Sequence, residues 1–148
     1  MSDQPRDPVA DLRRIAFLLE RSLQSSYRVK AFRGAAAALA VLPDERIASA
    51  AADGTLTTIK GVGDSTAKVV AESLNGLVPE YLARLESEVG GPLAEGGEDL
   101  RAALRGDLHC HSDWSDGGSP IEEMAVTAVE LGHEYTALTD HSPRLTVA

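Results

Sequence analysis

The stretch that decides the fold reads Gly106-Asp107-Leu108-His109-Cys110-His111-Ser112-Asp113-Trp114-Ser115-Asp116-Gly117. Apolar and polar side chains alternate through its first half, and this period of two predicts a β-strand. Because successive side chains of a strand point to opposite faces, His109 and His111 project from the same face. The loop after the strand can bring Asp116 beside them. Two imidazoles and a carboxylate in this arrangement indicate a metal site.

A second fragment of the same kind reads Tyr135-Thr136-Ala137-Leu138-Thr139-Asp140-His141-Ser142. Residues 120–131 between the two fragments are predicted to form a helix, with Ser119 as N-cap and Gly132 as terminator. Strand, helix and strand make a βαβ unit whose two strands lie parallel. Ligands bind at the C-terminal ends of parallel strands, where both histidine-bearing fragments fall.

Charge divides the chain into two parts. The formal net charge is −9, but residues 1–85 carry 11 Lys and Arg against 10 Asp and Glu. Residues 86–148 carry 3 against 13, together with all four histidines. A net negative charge disfavours binding to nucleic acid, but residues 1–85 taken alone are not net negative and are not subject to this argument.

The sequence favours the cytoplasm and gives no sign of a membrane. The single cysteine, Cys110, excludes an internal disulfide and fits a reducing compartment. The longest apolar run, residues 35–42, is too short to cross a bilayer. The N-terminus lacks the apolar core of a signal peptide.

The first part is predicted to be a helical bundle. Apolar side chains recur at helical spacing from Val9 to Leu23, and Ser25 then breaks this helix. A second, alanine-rich helix is expected from Tyr27 to Leu42. A third is expected over residues 45–52, and further short helices over residues 78–89 and 99–104.

Residues 56–70 form a glycine-containing turn between two helices: Leu56-Thr57-Thr58-Ile59-Lys60-Gly61-Val62-Gly63-Asp64-Ser65-Thr66-Ala67-Lys68-Val69-Val70. Gly61 and Gly63 let the backbone turn tightly and approach a ligand closely, because they have no Cβ. The N–H groups that open the next helix then point towards a phosphate, helped by the helix dipole. The alternative is a bundle whose glycines merely shape a turn.

These residues resemble a helix-hairpin-helix motif, which binds the DNA backbone without regard to sequence. Residues 9–85 resemble the N-terminal small domain of family X DNA polymerases, the four-helix module of DNA polymerase beta. That module uses a lysine to form a Schiff base with an abasic sugar. Val69 stands at its position here, so DNA binding without lyase activity is expected. The resemblance implies DNA contacts from Gly61, Val62, Gly63, Ser65, Lys60, Lys68, Arg28, Lys30 and Arg33.

The second part is similar to the polymerase and histidinol phosphatase (PHP) family. Residues 107–112 and 115–117 resemble its first motif, and residues 139–142 resemble its second. The resemblance implies two or three divalent ions, Mn or Zn, held by His109, His111, Asp116 and His141. Asp140 is expected at the catalytic site, where it either ligates an ion or orients a ligand. His133 is expected to be a surface or packing residue, and Cys110 a small core residue.

The expected fold class is therefore a mainly α helical bundle with a helix-hairpin-helix, followed by the first βαβ unit of an α/β PHP barrel. The domains are predicted at residues 1–85 and 106–148, with a linker at 86–105. PHP domains are distorted (β/α)₇ barrels, and residues 106–148 are read as an N-terminal fragment of one. Weak metal binding and weak hydrolysis are therefore expected of the isolated chain.

Two functional hypotheses follow from the resemblance. The first is a metal-dependent phosphoesterase or 3′–5′ exonuclease that the helical domain delivers to DNA. The alternative is a non-catalytic DNA-binding module with a PHP remnant. The sequence leaves the oligomeric state open.

Overall fold

The computed structural model describes residues 6–91 and 96–142. The chain divides into two compact units, residues 1–92 and residues 93–148. The described part of the first unit contains α1 (Pro8–Arg21), α2 (Ser26–Ala40), α3 (Asp44–Ala52), a 3₁₀ turn (Leu56–Thr58), α4 (Asp64–Leu74) and α5 (Glu80–Val89). That of the second contains α6 (Glu98–Ala103), β1 (Gly106–Cys110), α7 (Ile121–Glu130) and β2 (Tyr135–Leu138). A helical bundle followed by one βαβ unit is the fold that the sequence predicted.

Helix α1 is the centre of the first unit and packs against α2, α4 and α5. It begins with Pro8 in the first turn, and the Asp7 carboxylate accepts the Val9 N–H at 2.8 Å. This is the usual way to satisfy an N–H group at a helix start. The apolar side chains at helical spacing point inward, and both Leu12 and Leu19 are fully buried. The predicted periodicity therefore forms the core of the bundle.

The first helix ends earlier than predicted. It stops at Arg21, and Leu23 is 93% exposed with a φ of +54°. The Ser22 hydroxyl donates to the Leu18 carbonyl at 2.9 Å, and the Leu23 N–H donates to the Glu20 carbonyl at 2.9 Å. Serine competes with helix continuation by bonding nearby carbonyls. The apolar character of Leu23 therefore did not indicate burial.

Alanine lets α2 lie close to α1, because small side chains allow a short interaxial distance. Ala35 and Ala36 are fully buried on this face, together with Leu39. The helix ends at Ala40, and Pro43 immediately precedes α3. The proline separates the two helices as the sequence predicted.

A buried carboxylate joins α1 to α4. Asp11 is 6% exposed, and it accepts hydrogen bonds from the Arg6 guanidinium at 2.6 Å and from the Ser73 hydroxyl at 2.7 Å. A buried charge is tolerated when its oxygens are paired in this way. The network therefore fixes α4 against the centre of the bundle.

Helix α5 belongs to the first unit along its whole length. The Arg14 guanidinium on α1 donates two hydrogen bonds to the Glu86 carboxylate, at 2.7 and 3.1 Å. Leu85 is 5% exposed, and Val89 packs against the core. The helical domain thus extends beyond residue 85 to the end of α5. Residues 92–95 of the predicted linker 86–105 lie outside the described residues.

Strands β1 and β2 of the second unit pair in parallel, with Gly106 opposite Tyr135 and Cys110 opposite Leu138. Helix α7 lies between them in the chain, so the unit is the predicted βαβ. The Thr139 N–H extends the pairing by donating to the Cys110 carbonyl at 2.8 Å. Positions 111 and 141 therefore follow neighbouring strand ends. Residues 143–148 of the predicted PHP fragment lie outside the described residues.

The predicted N-cap of α7 is wrong by one residue. Pro120 occupies the cap, because its carbonyl accepts the first helical N–H, that of Met124, at 3.1 Å. The Ser119 carbonyl instead accepts the Asp113 N–H at 2.9 Å. Ser119 therefore closes the preceding loop. Gly132 terminates the helix as predicted, with a φ of +76°.

Burial differs sharply between the two units. Among the described residues, all buried hydrophobic side chains lie in residues 12–85. In the second unit Leu108, Val129 and Tyr135 are 69%, 75% and 51% exposed. Cys110, predicted as a core residue, is only partly buried, and its thiol donates to the Ala137 carbonyl at 3.3 Å. Every helix among the described residues is too short or too polar to cross a membrane.

Candidate metal centre and candidate nucleic-acid interface

Three side chains converge beyond the ends of the two strands. His111 Nδ1 lies 2.6 Å from Asp116 Oδ1, and His141 Nε2 lies 3.6 Å from Asp116 Oδ2. One ligand atom from each residue falls within 4.8 Å of the others. The rings of His111 and His141 meet edge to face with centroids 4.7 Å apart. Two imidazoles and one carboxylate at this separation fit a divalent metal ion.

His109 lies beside this group without joining it. Its ring stacks on that of His111 with centroids 5.1 Å apart, so the two imidazoles lie on the same face. Their Nε2 atoms are 3.1 Å apart. The Asp107 carboxylate accepts the His109 N–H at 2.9 Å and holds the backbone at this position. His109 is thus placed to extend the ligand set, while the convergent group itself is His111, Asp116 and His141.

Electrostatics keep the Asp116 carboxylate ionised. Its pKa is lowered mainly by the hydrogen bond with His111, and the Ser115 hydroxyl at 3.2 Å adds to the effect. A carboxylate must be deprotonated to ligate a metal. Asp116 is therefore in the ligating form well below neutral pH.

Asp140 holds the loop that carries Asp116. Its carboxylate accepts hydrogen bonds from the Ser112 N–H at 2.6 Å, the Ser112 hydroxyl at 2.6 Å and the Ser115 hydroxyl at 2.8 Å. These bonds lower the pKa of Asp140, and the Ser112 hydroxyl contributes most. Within the described residues Asp140 is not part of the convergent group. This geometry suits a residue that orients ligands.

Sequence reasoning did not assign roles to Ser112 and Ser115. Ser112 is fully buried between the strand ends, and its carbonyl accepts the Gly117 N–H at 2.9 Å. A Cβ at Gly117 would collide with the carbonyl oxygens of His111 and Ser112, so the loop needs glycine there. The sequence feature that could have indicated their roles was their position, because both serines lie between His111 and Asp116, which were expected to bind metal.

In the first unit, the candidate interface is the turn between α3 and α4. Gly61 has a φ of +95°, a conformation that glycine adopts readily. The Ile59 carbonyl accepts the Val62 N–H at 3.0 Å, and the Thr66 hydroxyl accepts the Gly63 N–H at 2.9 Å. The first helical hydrogen bond of α4 is donated by the Ala67 N–H to the Gly63 carbonyl at 2.8 Å. The N–H groups before it, including that of Ser65, are the ones that a helix start leaves for a ligand.

Of the nine predicted DNA-binding residues, some line one groove and the others lie outside it. Five of them line a groove of about 850 Å³ beside the turn, namely Arg28, Gly61, Gly63, Ser65 and Lys68. Val62 points into the core and is 6% exposed, so its side chain anchors the turn. Arg33 is only 16% exposed and pairs with Glu20 at 2.5 Å. Lys30 and Lys60 are exposed outside the groove.

Aromatic side chains shape the groove, and sequence reasoning missed them. Phe32 and Tyr81 stack with ring centroids 5.5 Å apart, and the Arg84 guanidinium lies 4.9 Å from the Tyr81 centroid. Tyr27, 82% exposed, also lines the groove. The one local sequence feature that could have indicated this contact was the spacing of three positions between Tyr81 and Arg84, which places both side chains on one face of a helix.

Val69, which the family resemblance places at the position of the lyase lysine, is 1% exposed. A buried valine has no nucleophile to offer an abasic sugar. The neighbouring Lys68 lines the groove, but its amine is paired with Glu80 at 2.7 Å. The absence of lyase activity stays a prediction that this placement supports.

Comparison with known proteins gives two family matches. Residues 5–76 match the helix-hairpin-helix domain, and residues 107–148 match the PHP domain. The chain is similar to the DNA polymerase/3′-5′ exonuclease PolX of Bacillus subtilis (strain 168), with 53% identity over 45 residues, covering 30% of this chain and 8% of that protein.

It is also similar to the error-prone DNA polymerase of Cutibacterium acnes (strain DSM 16379 / KPA171202), with 54% identity over 37 residues, covering 24% of this chain and 3% of that protein. The matched segments thus span less than a tenth of the length of either relative. No solved structure matches the chain. The chain therefore contains a helix-hairpin-helix domain, similar to the small domain of family X DNA polymerases, followed by the first βαβ unit of a PHP domain.

Proposed function

We propose that this chain takes part in metal-dependent phosphoester hydrolysis on DNA, as a phosphoesterase or 3′–5′ exonuclease of PHP type. The observation that carries the proposal is the convergence of His111, Asp116 and His141 beyond two parallel strand ends. Ligand sites of parallel sheets lie at this edge. The similarity to a polymerase named as a 3′-5′ exonuclease supports the same reaction class.

The three convergent residues would hold a divalent ion, Mn²⁺ or Zn²⁺, and His109 is placed to help bind a second. Such an ion supplies a Lewis acid that polarises phosphate oxygens and acidifies water. Asp140 holds the ligand loop through Ser112 and Ser115. The site is exposed at Asp116, so an extended substrate can reach it.

The helical domain would hold the DNA backbone. Gly63 lies at the start of α4, and a Cβ built there meets no atom within 4 Å, so its outer side is open to an approaching phosphate. The exposed start of α4 offers N–H groups and the positive end of the helix dipole. Arg28 and Lys68 line the neighbouring groove, and Lys30 and Lys60, exposed outside it, add positive charge to this unit. We also propose a cytoplasmic location, because a single cysteine without an internal disulfide fits a reducing compartment.

A second candidate function is DNA binding without catalysis. It is favoured by one observation, the concentration of all described buried hydrophobic side chains in residues 12–85. The helical domain has a core of its own, whereas the βαβ unit exposes most of its apolar side chains. In that case the unit would contribute no hydrolysis.

The test combines metal analysis with hydrolysis. The purified chain is loaded with Mn²⁺ or Zn²⁺, the bound metal is counted, and release of nucleotides from a 3′-labelled oligonucleotide is followed. We expect weak hydrolysis that is lost in both His111→Ala and Asp116→Ala. His133→Ala is the matched control, because His133 is a partly buried histidine of the same unit outside the convergent group.

Hydrolysis that survives both ligand substitutions would come from a contaminant and would overturn the enzymatic proposal. Salt-dependent binding to a gapped duplex with no metal uptake would establish the second candidate instead. Binding that is insensitive to salt would refute backbone recognition by the helical domain.

A further inference from the structure

Trp114 is a large apolar side chain held in solvent beside the candidate metal centre. It is 80% exposed and lies in the loop between His111 and Asp116. Tryptophan is highly buried on average in folded proteins, because its rings carry a large apolar surface. An indole that stays exposed next to a ligand group is therefore available to a ligand.

The backbone that carries the indole is fixed on both sides. The Trp114 N–H donates to the Ser112 hydroxyl at 3.2 Å, and the Ser115 N–H donates to the Ser112 carbonyl at 3.2 Å. Ser112 is itself held by Asp140. A ring on such a loop binds a partner without first ordering the chain, which lowers the entropic cost of binding.

Position also restricts what the indole can touch. Trp114 and Asp116 are two positions apart in the chain, so their Cα atoms lie within about 7 Å. A molecule whose phosphate lies among His111, Asp116 and His141 therefore has its attached groups close to the loop that carries the indole. A planar group attached to that phosphate would meet an exposed aromatic face.

We propose that Trp114 is a substrate-binding residue that stacks on a nucleobase while the attached phosphate occupies the metal centre. This inference rests on the proposed phosphoesterase function and narrows its substrate to nucleotides and single-stranded nucleic-acid ends. Every base has a π-face, so stacking tolerates any sequence. It discriminates against phosphate esters of aliphatic alcohols and bare sugars, which have no planar ring.

Trp114 is the single tryptophan of the chain, so fluorescence excited selectively at tryptophan reports on this loop alone. The probes are thymidine 5′-monophosphate and deoxyribose 5-phosphate, titrated into the full chain at constant Zn²⁺. Phosphorus NMR measures the affinity of both independently of the fluorophore. We expect the thymidylate to quench the indole and to bind about 5- to 150-fold more tightly than the sugar phosphate.

Two variants separate stacking from apolar contact. Trp114→Leu keeps apolar bulk without a π-face and should bind both probes equally, whereas Trp114→Phe should retain part of the preference. Neither threatens the fold, because the side chain is exposed.

Equal affinity of the native chain for both probes would overturn the stacking inference while leaving the phosphate site standing. A thymidylate preference that persists in Trp114→Leu would also overturn it. Failure of both probes to bind would reject this inference together with the metal-phosphate site.

Discussion

Lys68 Nζ lies 2.7 Å from Glu80 Oε2 and 3.7 Å from Glu72 Oε1, so two carboxylates hold a lysine that the sequence assigned to DNA. The hydrogen bond with Glu80 is the main cause of the raised pKa of Lys68 and of the lowered pKa of Glu80. All three residues line the groove beside the hairpin. The groove's own acids therefore compete with a phosphate for this cation.

Glu80→Gln should strengthen DNA binding. The substitution releases Lys68 from its closest carboxylate and removes a negative charge from the groove. Exposed ion pairs are weak because water screens them, so the affinity for a gapped duplex should rise only modestly, by about 5-fold at most. Fluorescence anisotropy at two salt concentrations measures it, and the salt dependence should steepen because one more phosphate is contacted.

Glu45→Gln is the matched control. Glu45 is an exposed glutamate on α3 that lines a different cavity, so this variant makes the same change in net charge away from the groove. It should alter affinity far less. An equal gain in the two variants would show that net charge, and not the release of Lys68, governs binding.

Gly63→Ala should weaken DNA binding with only a small loss of stability. Gly63 has a φ of −105°, and an added Cβ meets no protein atom within 4 Å. That space is where a phosphate would approach the start of α4. We expect a small fall in melting temperature, because alanine is a poorer N-cap than glycine, and an affinity for gapped duplex lower by about 10-fold, which corresponds to the loss of one charge-assisted hydrogen bond.

Gly61→Ala provides the contrast, because its φ of +95° strains any side chain and its Cβ would lie 3.4 Å from the Gly34 carbonyl oxygen. It should lower the free energy of unfolding by about 1 kcal/mol or more. If Gly63→Ala bound DNA as tightly as the native chain, Gly63 would not be part of the DNA interface.

Local patterns made the helices, the strands and the parallel βαβ unit predictable. Periodicity reports which face is buried, and Pro43 and Gly132 mark boundaries through their own backbone preferences. Leu23 was misjudged because its exposure depends on how the Ser22 hydroxyl ends the helix. Ser119 was misjudged because its carbonyl bonds across a loop to Asp113.

The contacts that organise the two sites were not predictable, because they join residues distant in the sequence. Lys68 meets Glu80 from a neighbouring helix, and Asp140 meets Ser112 across 28 positions. Motif spacing indicated that His111, Asp116 and His141 share a site. It did not indicate that Asp140 faces the loop serines or that Trp114 remains exposed.

Asp140→Ala should lower metal affinity by loosening the loop. The carboxylate accepts three hydrogen bonds from Ser112 and Ser115, and this loop carries Asp116. Removing a residue that orients metal ligands typically lowers metal affinity by about 10- to 100-fold, so we expect a loss of about that size in Zn²⁺ affinity. Competition with a chromophoric chelator for Zn²⁺ measures it.

Asp113→Ala is the control on the same loop, since Asp113 is exposed and contributes its backbone N–H to the loop closure. It should leave Zn²⁺ affinity within about 2-fold, because a surface substitution rarely disturbs its surroundings. Comparable losses in the two variants would mean that the negative charge of the loop, and not its geometry, attracts the metal.

The pH dependence of the helical domain should follow the pair between Arg14 and Glu86. The hydrogen bonds from Arg14 lower the pKa of Glu86 below its ordinary 4.5. A lowered folded-state pKa stabilises the fold above the ordinary value, and this stabilisation disappears as the pH falls through the folded-state pKa. Both side chains are 40% exposed, so solvent screening reduces the effect to about 0.5 kcal/mol.

Glu86→Gln should therefore be about 0.5 kcal/mol less stable than the native chain at neutral pH, and equally stable at a pH below the folded-state pKa of Glu86. Urea unfolding at both pH values measures the difference. Glu88→Gln is the control, because Glu88 lies 3.9 Å from Arg84 in a pair that is 59% exposed on both sides. It should change stability little at either pH. A deficit of Glu86→Gln that persists in acid would show that packing, and not the charge of Glu86, joins α5 to α1.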